Sequence, residues 1–283
     1  MPLATRPLTD RFGVEISGVD MAAALDPATA REIADLWYEN GVVLFRGQDG
    51  LAEEAIVQFC RHFGELEIHV RKEYLSETNP ELILISNVDE DGRRIGILGD
   101  HDVGWHHDQI YQRRPAVGSL LYAVELPAWG GNTAFANLAV AFEAMPDAMR
   151  ARLDGLRAQH SYAFFNGQWS VPTDDEQTRL TPDVVHPLIR THPVTGRKAI
   201  YADPGMTPAI DGLAADESRA LLDEIFEWIT RPEFVYEHAW APGDALMWDN
   251  ASTMHRRDAF DPASRRIMKR TTIMAPEDRA VPF

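Results

Sequence analysis

Residues 233–250 read EFVYEHAWAPGDALMWDN, two aromatic and aliphatic runs on either side of a Pro242-Gly243-Asp244 turn. Short runs of this kind, broken by Pro and Gly, are strand signals. RRIMKRTTIM at 265–274 supplies a further strand, and GVVLFRG (41–47), ELILISNV (81–88), GSLLYAVEL (118–126) and RKAIYAD (197–203) read the same way. Helical periodicity is gathered elsewhere. Residues 26–40 carry Asp26 as a cap, Pro27 in the first turn, Ile33, Ala34 and Trp37 on one face, and Gly41 as a stop. EEAIVQFCRHFG (53–64) puts Ile56, Phe59, Cys60 and Phe63 on one stripe and ends at Gly64. Residues 137–156 are helical with a break at Pro146, and 214–230 form a long helix with Leu221, Leu222, Ile225, Phe226 and Ile229 facing the core. Many strands and no regular βαβ alternation predict an α+β protein built around an antiparallel sandwich or barrel.

The bulk properties exclude several functions. No repeat or Gly/Ser linker divides the chain, so one domain over 1–283 is expected. Hydrophobic residues at 45% and charged residues at 25% are ordinary for a globular protein. The amino terminus has no apolar run behind a basic start, and the aliphatic runs are too short to cross a bilayer. Cys60 is the one cysteine, which rules out an internal disulfide and fits a reducing, cytoplasmic setting. A net charge of −17 argues against nucleic acid and anionic membrane as partners. An anionic ligand therefore needs a local basic pocket.

GWHHDQIY (104–111) puts two histidines and an aspartate in a row, which raises the question of a metal. In an extended segment His106 and Asp108 point one way and His107 the other, so His106-X-Asp108 is the pair suited to one metal. Two residues at this spacing also occur by chance, so a third ligand decides. His62 sits in a helix and His69 just after it, and His160, His186, His192 and His238 lack an acidic companion at useful spacing, whereas His255 follows the strand ALMWDN in WDNASTMHRRDAF. Two histidines and a carboxylate on one face suit non-haem iron and oxygen chemistry. In RRIMKRTTIM alternation puts Arg266, Met268 and Arg270 on one face and Ile267, Lys269 and Thr271 on the other. Two inward guanidinium groups are costly without anions, which suggests one carboxylate-like group on a cosubstrate and one on a substrate.

GWHHDQIY, GSLLYAVELPAWGGNTAFAN, MWDNASTMHRRDAF and RRIMKRTTIM, in this order, resemble the taurine dioxygenase family of Fe(II)/2-oxoglutarate-dependent oxygenases. That family also includes 2,4-dichlorophenoxyacetate dioxygenase and alkylsulfatase. The resemblance runs from FGVEISGVD to the last strand and implies a double-stranded β-helix, or jelly roll, with flanking helices. It implies His106, Asp108 and His255 as the iron ligands, and Arg266 with Thr133 as the site for the distal carboxylate of 2-oxoglutarate. Arg270 matches a position that contacts the acidic group of the substrate, and His69 lies near a second such position. The reaction implied consumes O2 and hydroxylates a small anionic substrate such as a sulfonate, sulfate ester or aryloxyacid, with C–S or C–O cleavage where the carbon bears a heteroatom. A tailoring hydroxylase or desaturase of an amino acid or natural-product acid is the alternative. Relatives imply a homodimer or homotetramer.

The segment 65–100 matches the sulfonate and aryloxy enzymes poorly. Its Arg71, Lys72, Arg93 and Arg94 are expected to be solvated charge rather than clamps over a substrate. Tyr74, Tyr111, Phe164, Phe165 and Trp169 are candidates to line a pocket, although most aromatics in such a chain are core. A sensing protein on a degenerate jelly roll would have lost a ligand or Arg266, and a hydrolytic zinc enzyme would have no use for Thr133 and both arginines.

Overall fold

The computed structural model describes residues 3–168 and 174–276. Its centre is a pair of sheets. The larger has seven strands in the order Ala4–Pro7, Val14–Ser17, Val42–Phe45, Ala245–Asp249, Ala116–Glu125, Ile267–Met274 and Leu82–Ser86, antiparallel except between Val14–Ser17 and Val42–Phe45. The smaller has four antiparallel strands in the order Val235–His238, Thr133–Asn137, Thr253–Arg257 and Val103–His106. The Pro242-Gly243-Asp244 turn therefore carries the chain from one sheet to the other, and the two runs that flank it never pair. This is the jelly roll with added helices expected from the sequence.

The strands Val42–Phe45 and Ala245–Asp249 and most of Ala116–Glu125, at the centre of the large sheet, are buried on both faces, which is why they read as unbroken apolar runs rather than as alternation. Val42, Leu44, Leu246, Trp248, Leu121 and Met268 face the small sheet and meet its Phe135. Val43, Phe45, Met247, Leu120 and Tyr122 face outward and are covered by Ile33, Trp37, Ile56 and Phe59 of two helices. The first of these helices, Pro27–Asn40, starts as its sequence dictates: the Asp26 side chain accepts from the backbone N–H groups of Ala28 and Thr29. It ends at Gly41, whose φ of 73° lets its N–H reach back to the Trp37 carbonyl. The second runs over Glu53–Arg61 and stops short of Gly64. Leu138–Glu143 and Asp147–Leu153, split at Pro146, pack with Ala215–Ile229 behind the small sheet. Asn137 caps the first of these rather than joining it. No described helix is long and apolar enough to cross a membrane.

A buried polar patch sits beside the small sheet. His160 and His186 belong to a separate pair of strands, with Ala158 opposite His186, and their rings lie 5.3 Å apart and close to Tyr201. Burial, reinforced by the neighbouring His186, pushes His160 down to about 3, and burial brings His186 to about 4. Both folded values lie below the ordinary histidine value, so the unfolded chain binds more protons in between. Their contribution to stability is complete above pH 6.5 and falls as pH drops through that window. On the order of 1–2 kcal/mol per histidine should be lost between pH 7 and pH 5. Urea midpoints at the two pH values test this, and His160→Gln should give the shallower slope. An unchanged wild-type midpoint would refute it.

Candidate active site

Strand pairing builds the site. His106 ends the strand Val103–His106 and sits directly opposite His255 on Thr253–Arg257, so the two rings are cross-strand neighbours 4.2 Å apart. His106 Nδ1 lies 2.8 Å from the Gly104 carbonyl. A carbonyl only accepts, so Nδ1 carries the proton and Nε2 keeps its lone pair free. The strand does not continue through Tyr111 as the sequence suggested. It ends at His106, and a turn in which Gln109 has a φ of 58° swings Asp108 round to the histidines. Ligand atoms of His106, Asp108 and His255 all lie within 4.8 Å of one another, and all three residues are buried. His107 points the opposite way, fully buried, with Nδ1 2.7 Å from Asp203 Oδ2. Its backbone N–H donates to the same oxygen.

The charge states suit a cation. Burial holds the His106 and His255 rings below their usual value and hence neutral. Burial works against the Asp108 carboxylate, but Arg270 and the two histidines outweigh it and keep it ionised, well below the usual carboxylate range. Ser119 Oγ donates to Asp108 Oδ2 at 2.6 Å, and Arg270 Nη1 to Oδ1 at 2.8 Å. His255 Nδ1 is buried and has no hydrogen-bond partner among the described residues. Neutral imidazoles, an ionised carboxylate and an orphaned ring nitrogen in one cluster fit a bound metal.

Behind the cluster a cleft of about 40 Å3 is bounded by His106, His255, Thr133 and Arg266. Arg266 is 1% exposed, its Nε has no partner, and its Nη2 reaches only the Gly131 carbonyl at 3.4 Å. Burial, and then the nearby Arg257, push the guanidinium down to about 9. A buried cation with no carboxylate partner among the described residues is suited to an anionic ligand. Gly131 makes room for it: its φ is 72°, and a Cβ there would lie 3.1 Å from Arg266 Nε. Thr133 Oγ1 accepts from Trp240 Nε1 at 3.0 Å, which leaves its own proton for a ligand.

In front of the cluster lies a cavity of about 310 Å3 bounded by Asp108, Arg270 and His69. Its apolar wall includes Ile83, Ile97, Tyr111, Phe165 and Met206. Burial, and secondarily Arg270, bring His69 down to about 3, so the ring is neutral. Its Nδ1 accepts the Arg71 backbone N–H, so Nε2 carries the proton and is able to donate to a ligand.

Arg71 departs from its expected place in solvent. It is 4% exposed and lines the cavity, with Nε 3.4 Å from the Tyr162 hydroxyl and Nη1 3.7 Å from Glu73. The 3-10 turn Lys72–Tyr74 begins there and sends Arg71 inward, while Lys72 and Arg93 stay exposed. Arg94 is exposed and paired with Asp89 at the rim. Tyr74, Tyr111 and Phe165 line the cavity, half-buried Phe164 does not, and Trp169 lies outside the described residues. Lys269 faces away and pairs with Glu53 at 3.1 Å.

A family model described as taurine catabolism dioxygenase TauD, TfdA family, matches residues 4–272. The chain belongs to the TauD/TfdA family. The alpha-ketoglutarate-dependent 2,4-dichlorophenoxyacetate dioxygenase of Cupriavidus pinatubonensis is 36% identical over 285 residues, covering 97% of this chain and 98% of the relative. Pentalenolactone F synthase of Streptomyces avermitilis is 33% identical over 298 residues, covering 99% and 96%. The crystal structure of AAD-2 in complex with Mn(II) and N-oxalylglycine superposes with a TM-score of 0.82 at 32% identity, covering 98% of this chain and 99% of that one. This TauD/TfdA protein is an Fe(II)- and 2-oxoglutarate-dependent dioxygenase.

Proposed function

We propose that His106, Asp108 and His255 hold the iron, that Arg266 and Thr133 bind the distal carboxylate of 2-oxoglutarate, and that Arg270, His69 and Arg71 receive the acid group of the substrate. One arrangement supports this above all: a buried two-histidine, one-carboxylate cluster lies between Arg266, which has no carboxylate partner among the described residues, and a cavity with apolar walls and basic groups. When bound, iron and 2-oxoglutarate supply oxygen activation coupled to decarboxylation of the 2-oxoacid to succinate. The chain's own residues do the rest. Arg266 fixes the far end of the cosubstrate, and its near end is thereby directed at the open side of the cluster. The apolar walls keep water out and hold a substrate carbon near the metal.

The substrate is a small organic acid with an apolar or aryl body. The 2,4-dichlorophenoxyacetate enzyme favours an aryloxyacid, where hydroxylation beside the ether oxygen cleaves the C–O bond. Pentalenolactone F synthase favours the tailoring of a natural-product acid. Anaerobic addition of Fe(II) and then 2-oxoglutarate should produce a weak visible charge-transfer band, after which acids of both kinds are screened by succinate release. A folded protein that gives no band would overturn the assignment.

Arg71 is a cleaner probe of acid recognition than Arg270, because Arg270 also bonds Asp108. Arg71→Leu should raise the KM for the substrate about tenfold or more, the loss of one charge-assisted bond. The KM for 2-oxoglutarate should hardly move. Equal effects on both constants would place Arg71 outside the substrate site.

A further inference from the structure

Arg257 lies two residues beyond His255 on one strand, so alternation puts both on the same face of the small sheet. It is 7% exposed and spans two regions. At one end Nη1 donates to the Leu98 carbonyl at 2.7 Å and Nη2 to the His101 carbonyl. Leu98, Gly99, Asp100 and His101 form part of the wall of the 310 Å3 cavity, and Leu98 holds a φ of 63°, which a branched side chain adopts under strain. At the other end Arg257 lines the small cleft with Arg266 and Thr133, and its Nε is buried without a partner. The guanidinium carbons of Arg257 and Arg266 lie 5.1 and 5.6 Å from the centre of the Phe260 ring. Two cations thus border a cleft of about 40 Å3; among the described residues neither forms an ion pair, and only Arg257 feels opposite charge, from Asp100 and Asp102 beyond ion-pair distance.

We propose that Arg257 is a second cosubstrate-binding residue, which forms with Arg266 a two-guanidinium site for the distal carboxylate and ties occupancy of that site to the loop Leu98–His101 that walls the substrate cavity. This rests on the assignment of Arg266 to the cosubstrate. The two like charges repel while the cleft lacks an anion, and a carboxylate between them removes that repulsion and satisfies the orphaned Nε donors. Held by the carboxylate, Arg257 also fixes the two carbonyls it bonds, so the cosubstrate orders a wall that the substrate then meets preformed. The coupling is reciprocal: cosubstrate and substrate raise one another's affinity by the same factor.

Hydrogen exchange and calorimetry on the full chain loaded with Mn(II) test both halves, with N-oxalylglycine as the probe. In the wild type, amides of 98–101 should gain protection when N-oxalylglycine binds. Arg257→Gln should weaken N-oxalylglycine about tenfold or more and lose that protection response. Arg257→Lys keeps the charge but cannot bond both carbonyls, so it should retain more of the affinity than Arg257→Gln while losing the response. An unchanged Kd in Arg257→Gln overturns the second binding residue. Wild-type binding without added protection at 98–101 overturns the coupling and needs no variant that folds. No wild-type binding at all overturns the Arg266 assignment and this proposal with it.

Discussion

His255→Ala is expected to abolish metal binding and turnover together. The proposed metal site draws on three side chains, His106, Asp108 and His255, and removal of groups that merely support metal ligands already costs about 10- to 100-fold in metal affinity. Loss of a ligand itself should exceed that range, taking succinate formation below detection. Folding should survive, because the substitution also removes a buried ring nitrogen that has no hydrogen-bond partner among the described residues. Ser119→Ala gives the graded comparison: Asp108 keeps Arg270 but loses a 2.6 Å bond that aims Oδ2, so metal affinity should fall within the 10- to 100-fold range. His107→Ala behaves differently again. It leaves the buried Asp203 carboxylate with backbone donors alone and should lower stability, with metal affinity less affected. Titration with Mn(II) followed by its paramagnetic resonance ranks the three. A His255→Ala protein that binds Mn(II) as tightly as the wild type would sink the ligand assignment.

The pairing of His106 with Asp108 and the inward face shared by Arg266 and Arg270 were legible in the sequence, but for unequal reasons. From Ile267 to Thr271 the last strand keeps an even register with Leu82–Ser86, so alternation describes Met268 and Arg270 correctly and Lys269 does face away, while Arg266 lies just ahead of the strand. For Asp108 the right neighbourhood came from the wrong geometry, since a turn rather than a strand brings it to His106. The strand Thr253–Arg257 was not visible because Asn250-Ala-Ser ahead of it reads as loop, and His255-Arg-Arg-Asp reads as surface charge. Recognising that strand would have put Arg257 on the His255 face. Arg71 was missed for a related reason: local polarity predicts solvent, and only the turn at Lys72–Tyr74 sends one of two adjacent cations inward. Strands such as Thr133–Asn137, rich in small residues, carry little β signal and exist because neighbours on both sides pair with them.

Arg266→Met is expected to move ligand affinity and stability in opposite directions. With the cosubstrate bound, the guanidinium would be half of a buried charge pair, and truncating one partner of such a pair costs about 2–5 kcal/mol. That corresponds to a roughly 30- to several-thousand-fold rise in the Kd for 2-oxoglutarate. Without cosubstrate the same group is a buried cation with an orphaned Nε, a distant carbonyl and a like-charged neighbour in Arg257. Methionine follows the same straight path past Gly131 and Phe260 without the charge, and the backbone bond from Arg266 to Asn87 Oδ1 does not depend on the side chain. Thermal unfolding of the cosubstrate-free variant should therefore occur at or above the wild-type temperature. Saturating 2-oxoglutarate should raise the wild-type midpoint by mass action and leave the variant where it was. A purely structural Arg266 would show the reverse, a lowered midpoint with ligand binding intact in the folded fraction. Only a residue held in a costly state for the sake of an anion gives a protein that is sturdier and empty.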